Sequence, residues 1–111
     1  MCASDQTGTA RGELLIENDR VKVWRWSFAR RGDNTGWHRH EHDYVVVPLF
    51  DGVLDIETPD GPVEAQLRNG EPYFRKLGVE HDVKNGNDFP CAFIEIEPST
   101  RAITSRDRHA V

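Results

Sequence analysis

Hydrophobic positions along this chain come in short runs, each cut off by a polar cluster rich in glycine, asparagine or aspartate. Brief runs of β-branched and aromatic residues between turn residues predict strands, whereas helices need longer stretches with a 3.6-residue period. Leu14, Leu15 and Ile16 form the first short strand, and Glu17-Asn18-Asp19 turns the chain into a segment from Arg20 to Phe28. That segment also permits a helical reading through Val21, Trp24 and Phe28, but its valines and aromatics favour strand. A glycine-containing loop, Arg31 to Thr35, precedes one long strand over residues 37–49. Asp51-Gly52, Pro59-Asp60-Gly61, Asn69-Gly70 and Asn85-Gly86-Asn87 are turn signals. Between and beyond them lie strands from Val53 to Glu57, Val63 to Leu67, Tyr73 to Arg75, Val79 to Val83 and Cys91 to Glu97. Strands so short and so regularly punctuated predict an all-β, antiparallel sandwich or barrel without a long helix.

Alternation within the runs assigns faces. Trp24, Trp26 and Phe28 are core candidates, and Val21 and Val23 fall on the opposite side, so both faces of that strand are covered; this points to a homodimer. Glu95 and Glu97 alternate with Ile94 and Ile96, the ordinary pattern of one solvated sheet face. Arg25, Tyr73 and Arg75, and against that pattern Glu95 and Glu97, line a pocket if their strands turn them inward, and arginine suits a substrate carboxylate because its planar donors bind it bidentately.

A length of 111 residues allows one compact domain. Residues 1–12 are small and polar and read as a flexible leader, residues 13–97 as the barrel, and residues 98–111 as a polar tail that is either disordered or folded over a partner subunit. A net charge of -5, with the basic residues scattered, argues against nucleic acid as a partner. No apolar stretch is long enough to span a bilayer, and the first residues lack the core of a signal peptide. Cys2 and Cys91 make neither a disulfide framework nor a Cys-x2-Cys zinc pair, so a reducing cytoplasm is the expected location.

Two spaced motifs carry the chemistry: Gly32-x5-His38-x-His40, and Gly70-x7-Gly78-x2-His81-x3-Asn85. Two histidines one residue apart project from the same side of a strand and can grip one metal ion. A third from a separate glycine-bounded strand completes a face of ligands and leaves positions open to water or substrate. The glycines suit turns that need positive φ.

The two motifs together, in this order, resemble the bipartite signature of the cupins. In the first, Gly32, His38 and His40 match and Gly52 is a plausible terminal glycine; in the second, Gly70, Gly78, His81 and Asn85 fall at the right intervals. The stretch Gly36 to Leu49, with Tyr73-Phe74-Arg75 and Gly78 to Val83, is similar to one group of small single-domain bacterial cupins, the beta-alanine degradation proteins. The resemblance implies a jelly-roll β-barrel with His38, His40 and His81 holding one divalent transition metal: iron, zinc, nickel or manganese.

Two positions depart from the pattern. Lys76 stands where the second motif has proline, and the glutamate of the first motif is absent. Counting three residues beyond His40 places Tyr44 in the glutamate slot and counting four places Val45 there; Gly52 fits the second count, and a bulge marked by Pro48 would absorb the extra residue and keep the first. Strand parity favours Tyr44 facing inward, and His42 and Asp43 are nearby substitutes. Tyr44 either ligates as phenolate, bonds a metal-bound water or fills the barrel. It and Arg25 are the candidate catalytic residues.

The implied function is a metal-dependent cupin acting on a small polar metabolite, as a dioxygenase, isomerase or decarboxylase in amine or amino-acid catabolism. The alternatives are a non-catalytic metabolite-binding or sensing cupin, and a barrel whose metal is structural.

Overall fold

The computed structural model describes residues 8–99; the rest of the expected leader and tail lies outside the described residues. Among the described residues nine strands run in order: β1 Arg11–Glu17, β2 Val21–Phe28, β3 His38–Arg39, β4 Tyr44–Pro48, β5 Gly52–Thr58, β6 Gly61–Leu67, β7 Tyr73–Arg75, β8 Glu80–Asn85 and β9 Cys91–Pro98. They form a five-stranded sheet, β1-β2-β9-β4-β7, facing a four-stranded sheet, β3-β8-β5-β6, with antiparallel pairing throughout. Among the described residues no helix is long and apolar enough to cross a membrane.

The core lies between the sheets. Trp26, Phe28, Val46 and Phe93 enter from the larger sheet and meet Leu54, Ile56 and Val83 from the smaller. The extended reading of residues 20–28 is the one the structure takes, since parity along β2 buries Trp26 and Phe28 on one side. On the outer face, register aligns Ile16, Val23, Ile96, Val45 and Phe74 into one apolar row across all five strands.

Two sequence expectations are corrected. The first strand begins at Arg11, not Leu14, and the fold reaches back to Thr9 and Ala10, so residues 8–12 are no leader. Ala10 is buried and its amide donates to Asn34 O at 2.8 Å. The apolar pattern missed this stretch because its fit depends on a missing side chain: a Cβ on Gly12 would stand 2.9 Å from the Trp26 ring.

The long strand over residues 37–49 is two strands in different sheets. β3 pairs with β8, the chain breaks over residues 40–43, and β4 resumes between β9 and β7. Backbone bonds from His40 N to Val79 O and from Gly78 N to His40 O fasten the crossing, and Asp43 Oδ1 accepts from Leu77 N. Even-numbered residues face inward on both sides of the break, so periodicity alone could not reveal it. Pro48 marks no bulge: β4 and β9 stay in register from Val45 to Pro48. Pairing with β7 stops at Val46, so the amide hydrogen that Pro48 lacks is not needed there.

Candidate metal centre

His38 and His81 face each other as a registered cross-strand pair on β3 and β8, and His40 follows at the end of β3 with the same parity. Their imidazoles converge: His38 Nε2 lies 3.1 Å from His40 Nε2, which lies 3.2 Å from His81 Nε2. His38 Nδ1 sits 2.8 Å from Gly36 O, and a carbonyl only accepts, so the ring proton is on Nδ1 and Nε2 presents a bare lone pair. Even a proton shared at His40 Nε2 would serve only one of these two contacts, to His38 or to His81. The remaining contact would set lone pair against lone pair unless a cation lies among them. Nitrogens each about 2.0–2.1 Å from one ion stand roughly 3 Å apart, the spacing found. The donor set therefore fits a transition metal.

The electrostatics agree. Burial depresses all three histidines, so they are held neutral, as ligands must be. Beyond burial, His38 and His81 help push His40 down to about 2, and His38 with Arg75 helps push His81 down to about 3. Tyr44 faces inward, as its parity predicts, and its ring stacks on His40 with centroids 3.8 Å apart and an interplanar angle of 15°. The turn glycines behave as expected at Gly32, Gly70 and Gly78, whose φ values of 85°, 79° and 93° suit glycine. Asn85 is a structural anchor: its amide nitrogen donates to Arg30 O and Phe89 O, tying the two loops beneath the site.

Glu95 and Glu97 overturn the expectation of a solvated face. Both are buried, at 3% and 4% exposure, while Ile94 and Ile96 point outward, Ile96 into the apolar row. Glu95 Oε2 lies 3.9 Å from His40 Nδ1, on the side of the ring away from the other histidines. Burial first, and Glu97 second, push Glu95 up to about 8, and burial also raises Glu97. His40, Glu95 and Glu97 thus form a second cluster whose side-chain donors could hold an ion, and it shares His40 with the first.

The histidines open onto a cavity of about 230 Å³ whose wall is mostly apolar, including Val46, Leu54, Ile56 and Phe93. Tyr73 and Arg75 line it, with the Arg75 guanidinium 5.3 Å from the Tyr73 ring centroid. Arg25 does not, which corrects its candidacy. It alternates with Trp24 and Trp26 and turns outward to Glu13, 3.1 Å away. Of the substitutes for the missing glutamate, Asp43 caps Leu77 N, and half-buried His42 acts on Glu97 rather than on the histidine cluster.

Comparison with known proteins places this geometry in context. No protein-family model matches the chain. The beta-alanine degradation protein BauB of Pseudomonas aeruginosa is 52% identical over 84 residues, covering 76% of this chain and 87% of BauB. A crystal structure of a cupin domain from Bordetella pertussis Tohama I matches with a TM-score of 0.79 and 49% identity, covering 82% of this chain and 94% of that one. An RmlC-like cupin with a double-stranded β-helix fold from Methanocaldococcus jannaschii matches at a TM-score of 0.66 and 16% identity over 81% of this chain and 80% of that one, a likeness of fold.

Proposed function

The chain belongs to the cupins, in the company of BauB, and from that premise we propose that it is a metal-dependent cupin acting on a small polar metabolite, with His38, His40 and His81 as the protein ligands. The observation that carries this reading is the convergence of three Nε2 atoms with His38 already in the metal-ready tautomer. A bound divalent ion would supply Lewis acidity or a platform for redox chemistry. Beta-alanine degradation, the process named for the Pseudomonas relative, supports amine or amino-acid catabolism as the setting. Dioxygenase, isomerase and decarboxylase chemistry all remain within this reading.

The chain's own side chains divide the remaining work. Arg75 lines the cavity with the histidines and suits a carboxylate or other anionic end of the metabolite through paired donors. The apolar wall excludes water from the rest of the ligand and strengthens each polar contact inside. Tyr44 holds the His40 ring from one face. A cavity that joins polar groups to the histidines favours action on a bound metabolite over a purely structural ion, whose site would be closed.

Metal analysis by mass spectrometry on untagged protein, purified without added metal or chelator, tests the proposal. About one equivalent of a single transition metal, lost in His81→Ala, is expected. Protein that is metal-free and takes up no iron, zinc, nickel or manganese would refute it.

A further inference from the structure

The function proposed above leaves Glu95 unused, although it is the buried acid nearest the histidine cluster. β9 lies between β2 and β4, and register places Glu95 opposite Trp24 on one side and Val46 on the other. Phe93 is buried on the same face, so the inward direction of Glu95 is set by the packing of the whole strand. Among the described residues its Oε2 has no hydrogen-bond partner, which is costly for a carboxyl oxygen at this depth. That oxygen is the one turned to His40 Nδ1, 3.9 Å away. His40 Nε2 points the other way, into the cluster with His38 and His81.

We infer that Glu95 is the positioning residue of the centre: it takes the Nδ1 proton of His40 as a hydrogen bond, fixing the tautomer and ring angle in which Nε2 faces the ion. Gly36 O already does this for His38, so two of the three ligands have an oxygen behind the ring. Histidine ligands generally donate their second nitrogen to such a partner, which raises their basicity. Glu95 thus places, behind a ligand, the carboxyl group that the first motif lacks in the ligand shell itself, and one of its oxygens can accept from Nδ1 whether or not the other carries a proton. The closing distance is small, within reach of a side-chain adjustment when the ligand ring becomes a stronger donor.

This inference rests on the metal reading, and its test separates the two. Zinc affinity of the full chain is measured by competition with a chromophoric chelator, and the ring tautomers of the metal-free protein by nitrogen NMR. Glu95→Leu should weaken zinc binding by roughly ten- to a hundredfold, while its melting temperature stays level or rises, because an apolar side chain replaces a buried carboxyl. Glu95→Gln, whose amide oxygen still accepts from Nδ1, should lose less. In the NMR spectra His40 should carry its proton on Nδ1 in the wild type and in Glu95→Gln, and shift toward Nε2 in Glu95→Leu. Unchanged zinc affinity in a folded Glu95→Leu variant overturns the inference, as does an unchanged tautomer. If the wild type takes up no metal, the metal reading fails, and the tautomer measurement still decides the Glu95 contact.

Discussion

Tyr44 and His40 lie ring against ring, 3.8 Å apart and nearly parallel, with His40 just past β3 of one sheet and Tyr44 opening β4 of the other. The stack spans the crossing over residues 40–43 and holds a metal-ligand candidate against the core. Tyr44→Phe keeps this contact and should keep metal content unchanged. Tyr44→Ala should lower both metal affinity and stability, the latter by about 3 kcal/mol or more, as for other buried aromatic truncations. Metal analysis combined with denaturant unfolding checks both. Loss of the ion in Tyr44→Phe would assign the hydroxyl a ligand role.

His38→Ala together with His40→Ala should abolish stoichiometric metal while the far-ultraviolet circular dichroism of the barrel persists. Most of the core lies deeper, around Trp26, Phe28 and Leu54, each at 1% exposure or less.

The stability of the metal-free protein should peak near pH 6.5. Unfolded histidines take up protons below their ordinary 6.5, whereas His38, His40 and His81 resist them when folded. Their contribution is therefore lost as pH falls from 6.5 toward about 3. Glu95 acts in the opposite sense. Folded, it keeps its proton up to about 8, while the unfolded chain releases it near 4.5, so this contribution is lost as pH rises through that window. Glu97, also raised by burial, acts in the same sense as Glu95, and three histidines outweigh the two acids below 6.5. Thermal melts from about pH 4 to about pH 9 should show both limbs, and Glu95→Gln should make the alkaline limb shallower and the acid limb steeper between 4.5 and 6.5.

Arg75→Ala should leave metal content intact and weaken binding of a small monocarboxylate by about tenfold or more, the loss expected when a charged hydrogen-bond donor is removed. Isothermal titration with the metal-loaded protein measures it. Equal affinity in the variant would remove Arg75 from the ligand site.

Asn87→Ala should destabilise the barrel by about 2 kcal/mol or more. Its side chain accepts from Val53 N at 2.9 Å and donates to Val53 O and Asn85 Oδ1, each at 2.8 Å. Truncation removes these side-chain partners of Val53 N and O, while Asn85 Oδ1 keeps the bond from Asn87 N. Gly52→Ala should fail for the same reason, since a Cβ there would stand 2.4 Å from Asn87 Oδ1. Chemical denaturation reads out both variants.

His38, His40 and His81 could be found from spacing because a period of two and a glycine-set turn fix where such side chains point. Glu95 was hidden by its neighbours. Ile94 and Ile96 look like core residues, yet Cys91 and Phe93 share the parity of the two glutamates and are buried with them. Following that parity along β9 would have found the acid behind His40. Arg25 carries a similar signal, for it cannot face the cavity once Trp26 does. The break after β3 had no such mark, because the inward register resumes across it. Only long-range pairing with β8 and β9 distinguishes one strand from two.

The ladder joining β3 to β8 is only two residue pairs long, His38 with His81 and Arg39 with Glu80. So short a ladder contributes few backbone bonds against local opening, in contrast to β2 and β9, which pair along eight residues. Among the described residues the ladder of β3 with β8 is the shortest of the strand ladders, and it runs through the histidines. An ion gripped by His40 and His81 would act there as a reversible clasp between positions 41 apart in sequence, closing a loop that backbone pairing holds only weakly. Filling the centre should slow amide exchange at this rim far more than in the rest of the wall.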